Sequence, residues 1–516
     1  MTSWYQIAGI HGVPFVEWDN VPLKNIVGYC THNLAIFPTW HRPYVALYEQ
    51  VMYGIVQDLA KDFSSDNRAK YVKAAETFRV PYWDWAAPPP KGEHVMPDFL
   101  SSPTPIRVDS PNGTITIPNP LYRYDFNPLV SSDMVWTPYT TWTHTLRSPT
   151  SNWTAEATSQ DSRVVSQIDA NQPSFSKRLL NILQAYPSYD RMSTKAWMSN
   201  PDGAGASSYD SLESLHDTIH TLIGNGGHFT WNEYSSFDPL FMLHHANVDR
   251  QLAIWQALYP TSWVQPTPAL WPTATINVND VLDDTSALTP FHKDTAGTFW
   301  TSASVRDPTV FGYTYAETAA GCNTTCTIRA VNKLYSNSAT QPLNQSLILG
   351  LNGTNITIDP TNPYARQRRS RQASSLLTHL SPRSGPQQPG VDFEWLANIR
   401  VAPSDLNTSF SVYVFPGAPT TVARDWHSDP NFEGAYGVLV SFSWQGANNA
   451  GKIVSGTVPL AKVLNERIAA GAITGDQTSV EAWIERNITW RVGGVGSPPS
   501  PRLFLFLLVD SSLNLY

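Results

Sequence analysis

Ser211-Leu-Glu-Ser-Leu-His216-Asp-Thr-Ile-His220-Thr-Leu-Ile-Gly224 and, shortly after it, Asp238-Pro-Leu-Phe-Met-Leu-His-His245-Ala-Asn-Val-Asp-Arg250 decide how this chain is read. His216 and His220 are four residues apart, so on a helix they lie one above the other and reach the same point. Leu212, Ile219 and Ile223 share their stripe, which turns both histidines inward. Buried imidazoles need partners, and a shared metal ion supplies one. The first segment predicts a helix over 211–223, with Asp210 as cap, Glu213 completing a capping box and Gly224 as its stop. The second predicts a helix from Pro239 to Tyr259, between Asp238 as cap and Pro260 as terminator. Phe241, His245, Val248, Leu252, Trp255 and Tyr259 form its stripe. His244 and His245 compete for the ligand position. His245 sits nearer the centre of the stripe, with Asp249 one turn on as a carboxylate to orient it, so His245 is read as the ligand and His244 as a hydrogen-bonded neighbour.

Working outward, a counterpart at the N-terminus carries His11, His32 and His41. The apolar positions 45, 48, 52, 55, 56 and 59 predict a helix over 43–63, with Pro43 in its first turn and His41 immediately before it. Cys30 and His32 are two apart and point to the same side of an extended segment. The sulfur there is a ligand, a packed thiol or a covalent partner. All-imidazole coordination suits copper or zinc, whereas calcium and magnesium want oxygen. Glu213-x-x-His216 matches an element of di-iron carboxylate proteins, but those need two such elements and the chain has one.

Bulk properties narrow the partners. At 516 residues the chain predicts a large domain and a smaller one. Nineteen tryptophans and a 41% hydrophobic fraction are ample for buried cores. A net charge of -8 argues against nucleic acid or an anionic membrane as main partner, and no apolar run approaches the ~20 residues that span a bilayer. The first residues lack the pattern of a secretory signal, which favours a cytoplasmic location. Three cysteines, Cys30, Cys322 and Cys326, are too few for a disulfide scaffold, and the last two read as loop thiols.

Along the chain, residues 86–160 read as long surface loops with short strands. Residues 336–390 are rich in Ser, Asn, Gln, Pro and Gly and contain the basic cluster Arg366-Gln-Arg-Arg-Ser-Arg371, so they read as a linker. From 391 onward, runs such as Phe410-Ser-Val-Tyr-Val-Phe415 and Tyr436-Gly-Val-Leu-Val-Ser-Phe442 predict strands, and 460–471 a helix. The expected division is a catalytic domain over 1–320, a flexible linker over 321–390 and a β-rich domain over 391–516.

These segments, with Trp4-Tyr-Gln-Ile-Ala-Gly-Ile-His11-Gly, Tyr29-Cys-Thr-His32, Phe37-Pro-Thr-Trp-His41-Arg, Pro81-Tyr-Trp-Asp-Trp85 and Tyr313-Thr-Tyr315, resemble the tyrosinase and catechol oxidase family of type-3 copper proteins, especially its fungal branch. The resemblance implies a mainly α catalytic domain built on a four-helix bundle, followed by a small β-sandwich-like domain. It implies two copper ions, one held by His11, His32 and His41, the other by His216, His220 and His245. It implies a thioether between Cys30 and His32, and oxidation of o-diphenols to o-quinones by O2. It places Phe241 as the aromatic over the second copper, Glu213 as holder of a water that deprotonates a phenol, and Asn232 at a gate above the first copper. Asp217 stands where many monophenol-hydroxylating members carry Asn, which leaves ortho-hydroxylation of monophenols open. Fungal members have their C-terminal domain, here with Glu394-Trp-Leu-Ala-Asn-Ile-Arg-Val401 and Phe415-Pro-Gly417, removed by proteolysis, and the basic cluster is placed for such a protease. The partners expected are small phenols, O2 and an activating protease; hemocyanin-like O2 carriage and o-aminophenol oxidation use the same kind of site.

Overall fold

The computed structural model describes residues 3–196, 210–336, 342–352, 395–406, 408–444, 451–494 and 508–509. Among the described residues, ten helices lie in the first part: α1 (Trp4–Gly9), α2 (Phe37–Lys61), α3 (Ser65–Ala75), α4 (Asp98–Ser101), α5 (Asp161–Ala185), α6 (Tyr189–Ser193), α7 (Leu212–Gly224), α8 (Leu240–Leu258), α9 (Thr324–Tyr335) and α10 (Gln345–Asn352). Short antiparallel pairs join β1 (Ile106–Ser110) to β2 (Gly113–Ile117), β3 (Thr267–Pro268) to β4 (Val281–Leu282), and β5 (Ala287–His292) to β6 (Phe299–Thr301). The architecture is a helical catalytic domain on the α2, α5, α7 and α8 bundle, with a β domain packed against it.

Helix boundaries differ from the sequence reading in ways that have local causes. α2 begins at Phe37, six residues earlier than expected, because Pro38 occupies the first turn, where a missing N–H costs nothing. His41 therefore lies on the helix and not before it, and Pro43 is accommodated in its interior. α7 is capped by Ser211, whose side chain accepts from Ser214 N while Ser214 reciprocates, so Asp210 and Glu213 are free for other work. Its end is the left-handed Asn225, with φ 39°, while Gly224 is still helical.

Every residue of α7 is buried. An amphipathic stripe predicts one covered face; here α2, α5 and α8 cover one side and a β sheet the other.

That sheet belongs to the C-terminal part, where β7 (Leu396–Val401) pairs antiparallel with β10 (Val454–Pro459) and β12 (Leu508–Val509). β8 (Phe410–Pro416) pairs antiparallel with β9 (Gly434–Val438) and β11 (Ile488–Gly494). Helices α11 (Ala461–Ala469) and α12 (Gln477–Asn487) accompany them; α12 was missed in the sequence reading, although Asp476 caps it by accepting from Ser479 N. Ile399, Val412, Val414, Val438, Val454 and Val458 share the core of this part.

The linker assignment from 321 is corrected at its start. α9 places Ile328, Val331 and Tyr335 in the main core, and Cys322 is disulfide-bonded to Cys326 instead of being a loop thiol. Polar composition hid an amphipathic helix whose few apolar residues all fall on one face. The basic cluster at 366–371 lies outside the described residues.

Candidate metal centre

Six histidines from five places in the chain converge at the centre of the bundle. His41 comes from α2, His216 and His220 from α7, and His245 from α8; His11 and His32 come from the segments after α1 and before α2. All six are at most 1% exposed. The His216 and His220 rings are 4.4 Å apart, His216 and His245 4.8 Å, and their Nε2 atoms in the latter pair face each other at 3.1 Å. The His11, His32 and His41 rings lie 5.5 to 5.7 Å from one another. The two triads meet, His41 stacking on His245 at 4.2 Å and His32 lying 5.3 Å from His216.

The fold fixes which nitrogen of each ring points inward. His11 Nδ1 donates to Asn232 O at 2.6 Å, His41 Nδ1 to Phe37 O at 2.8 Å, and His220 Nδ1 to Phe229 O at 2.8 Å. A ring that donates through Nδ1 keeps its lone pair on Nε2. The Nε2 atoms of His11, His32 and His220 are buried with no protein partner. A buried unpaired acceptor costs about 1–3 kcal/mol, and a cation shared among several removes that cost. Burial holds these imidazoles neutral: His11 is pushed down to about 4, His220 to about 3, and His32, His41, His216 and His245 well below the usual histidine range. Neutral imidazole nitrogens are donors that suit copper or zinc, so the residues present fit two copper ions.

His244 points to the same region but is engaged elsewhere: its Nδ1 accepts from Trp85 Nε1 at 3.1 Å, and its ring stacks 4.8 Å from His216. Its Nε2 is also buried and unpartnered, so it lies within reach of the second triad, as the sequence left open. Asp249 does not touch His245. Its carboxylate takes Arg42 Nε at 2.5 Å and the hydroxyls of Tyr313 and Tyr315, both at 2.6 Å, which ties α8 to α2 and to the end of the catalytic domain. One helical turn separates His245 from Asp249, and the buried Arg42 is the stronger competitor for the charge.

Cys30 is buried with Sγ 2.7 Å from His32 Nδ1 and 3.6 Å from His41 Nε2, so it stands beside the first triad. Burial pushes its thiol up. Phe241 is fully buried, its ring 4.2 Å from His245 and 4.9 Å from His11. It packs against both triads, on His245 of the second and beside His11 of the first. Phe37, missed from sequence, does the same on the other side, within 5.0 Å of His32, 4.7 Å of His41 and 4.9 Å of His216. Its place four residues before His41 on one helix was the available signal.

Glu213 caps nothing. Its Oε1 accepts from Asn33 N at 2.6 Å, and its Oε2 from Thr194 Oγ1 at 2.8 Å and Lys195 N at 3.0 Å. It thereby clamps the His32 loop and the segment after α6 onto α7, and burial raises its carboxyl. Asp217 sits beside it, with Oδ1 2.9 Å from His216 Nδ1 and Oδ2 paired with Lys195 Nζ. Burial raises Asp217 and the Lys195 ammonium pulls against that rise. Lys195 carried no signal in the sequence.

Asn232 holds His11 through its main chain and is itself buried. Its neighbours are covered: the Trp231 ring stacks on Phe442 at 4.0 Å, and Glu233 accepts from Ser441 Oγ and from Ser443 N at 3.1 Å. Along α7 the same β segment docks through Gly437 N donating to Thr218 Oγ1 at 3.1 Å.

A family model described as the common central domain of tyrosinase matches residues 1–258, and one described as the tyrosinase C-terminal domain matches 394–502. A tyrosinase of Podospora anserina is 35% identical, over 90% of this chain and 87% of its own length. One of Neurospora crassa is 31% identical, over 95% and 83%. Among solved structures, a mushroom tyrosinase described as latent and active superposes with a TM-score of 0.75 at 25% identity, covering 98% of this chain and 85% of that one.

Proposed function

This chain belongs to the tyrosinase family of copper-dependent phenol oxidases, and on that premise we propose that it oxidises o-diphenols to o-quinones with O2, is a candidate for ortho-hydroxylation of monophenols, and is made as a latent enzyme covered by its own C-terminal domain. The observation that carries the reading is the convergence of six buried, neutral imidazoles, three of them with an Nε2 that no protein group satisfies.

His11, His32 and His41 would hold one copper, and His216, His220 and His245 the other. When bound, the pair supplies O2 binding and the two-electron redox chemistry that phenol oxidation requires. The protein's part is to hold the donors. Main-chain carbonyls lock three rings in the tautomer that presents Nε2, and Phe37 and Phe241 fill the space around the triads, which keeps the rings in place and water away. A thioether from Cys30 to His32 would fix the one ring of the first triad that lacks a carbonyl partner; the 2.7 Å approach of Sγ supports it. Glu213 is the proposed acceptor of the phenol proton through a held water, its raised carboxyl lying closer to a phenol's range than an ordinary one.

Latency is supported by the buried triads and by the segment 434–443, which lies on α7 and on residues 231–233. The test is to load copper, cut within 364–390 with trypsin, and compare initial rates on tyrosine, catechol and an o-aminophenol. Catechol oxidation that rises on cutting supports a covered oxidase. Reversible O2 binding without turnover on any substrate would instead indicate a carrier.

A further inference from the structure

Five of the six imidazoles are placed without a charged partner; His216 alone donates its outer nitrogen to a carboxylate, Asp217 Oδ1 at 2.9 Å. A carbonyl is neutral and fixed by the backbone. A carboxylate is neither, and Asp217 is wholly buried. An isolated buried charge is costly unless it is paired and hydrogen-bonded. Lys195 is that pair: its ammonium, also wholly buried, bonds to Asp217 Oδ2. Lys195 Nζ further donates to Leu439 O at 3.0 Å, and Leu439 N donates to Asp217 Oδ2 at 3.3 Å. Each of the three residues is thus bonded to the other two. The main chain of Lys195 is held as firmly, its N–H donating to Glu213 and its carbonyl accepting from Ser455 N at 3.1 Å.

We propose that Lys195 is a positioning residue for the second triad: by neutralising Asp217 it keeps the carboxylate on His216 Nδ1, which aims His216 Nε2 at the metal, and Leu439 of the covering segment closes the arrangement. The proposal rests on reading His216, His220 and His245 as the ligands of one copper. Partners that orient a metal-bound histidine typically change metal affinity 10–100-fold, by the general behaviour of such second contacts. Without Lys195 the buried carboxylate has no counter-charge and His216 loses its fixed orientation.

The test measures copper bound per full-length chain after dialysis against a chelator under conditions where the unaltered protein keeps both ions. Lys195→Met is expected to fall to about half the copper of the unaltered protein. Lys195→Arg, which keeps the charge, is expected to retain both. The double variant Lys195→Met with Asp217→Asn leaves no unpaired charge, keeps an amide oxygen for His216 Nδ1, and is expected to retain both; it decides the matter even where the single variant fails to fold. Full copper in folded Lys195→Met, or half copper in the double variant, overturns the proposal. Unaltered protein that binds fewer than two coppers overturns instead the reading of the triads on which it rests.

Discussion

Gly437 of β9 lies flush against Thr218 of α7: a β-carbon on the glycine would stand 2.7 Å from the Thr218 Cα and 2.0 Å from Thr221 Oγ1. The backbone of the covering domain therefore touches the helix that carries His216 and His220, with no side chain between them. Thr218 and Thr221 complete the contact, the latter with Ser411 Oγ at 3.1 Å.

Gly437→Ala is expected to push β9 off α7. Overpacking of this kind costs about 1–3 kcal/mol, which moves a docking equilibrium by roughly 5- to 140-fold. Catechol oxidation by the uncut variant should rise by about that factor over the uncut parent. An unchanged rate, with catechol oxidation still rising after trypsin, would show that this contact does not hold the cover down.

Asp249→Ala is expected to destabilise the bundle. It leaves Arg42, wholly buried, without its counter-ion, and removes the acceptor of Tyr313 and Tyr315. Breaking a buried pair from one side costs about 3–5 kcal/mol, or roughly 6–10 °C in melting temperature. A melting temperature within a degree or two of the parent would refute the assignment of this carboxylate as an anchor.

Stability of the C-terminal part should fall with rising pH through Glu433. Burial pushes its carboxyl from 4.5 up to about 7, with Lys462 pulling the other way. The folded state thus holds a proton that the unfolded chain has released. Its contribution is complete below about pH 4.5, declines as pH rises toward 7 and is gone above it, a loss of at most about 3 kcal/mol. Denaturant midpoints at pH 5 and pH 8 should differ by less in Glu433→Gln than in the parent.

The peptide containing Cys30 and His32 is expected to be lighter by two hydrogens in the copper-loaded protein. Cys30 is the only described cysteine outside the Cys322–Cys326 disulfide, and its sulfur already approaches His32 at 2.7 Å. Peptide mass spectrometry after reduction distinguishes this bond, which survives, from a disulfide, which does not. An unmodified mass would leave Cys30 a packed thiol.

Much of the site was legible in the sequence, because four of its six histidines sit on helices with an apolar stripe. His216 and His220 at helical spacing inside an apolar stripe predict one metal-facing edge, and the structure brings them together with His245. What misled was competition between polar groups. Glu213 reads as a capping residue by its spacing, yet Ser214 takes that role because its short hydroxyl reaches Ser211 N, which frees the carboxylate to clamp two distant loops. Asp249 reads as a partner of His245, yet Arg42, 207 residues away in sequence, takes it.

The sequence by itself determined the helices that carry His216, His220 and His245, the histidine edge of the first of them and the β character of the C-terminal part, since hydrophobic period and capping chemistry act within a few residues. Only the tertiary structure decided what covers α7, which nitrogen each imidazole presents, and that Lys195 balances Asp217. Those depend on groups that arrive from afar, such as the Asn232 carbonyl on His11 and the Leu439 carbonyl on Lys195. Their reach is set by packing between elements far apart in the chain, and no local pattern records it.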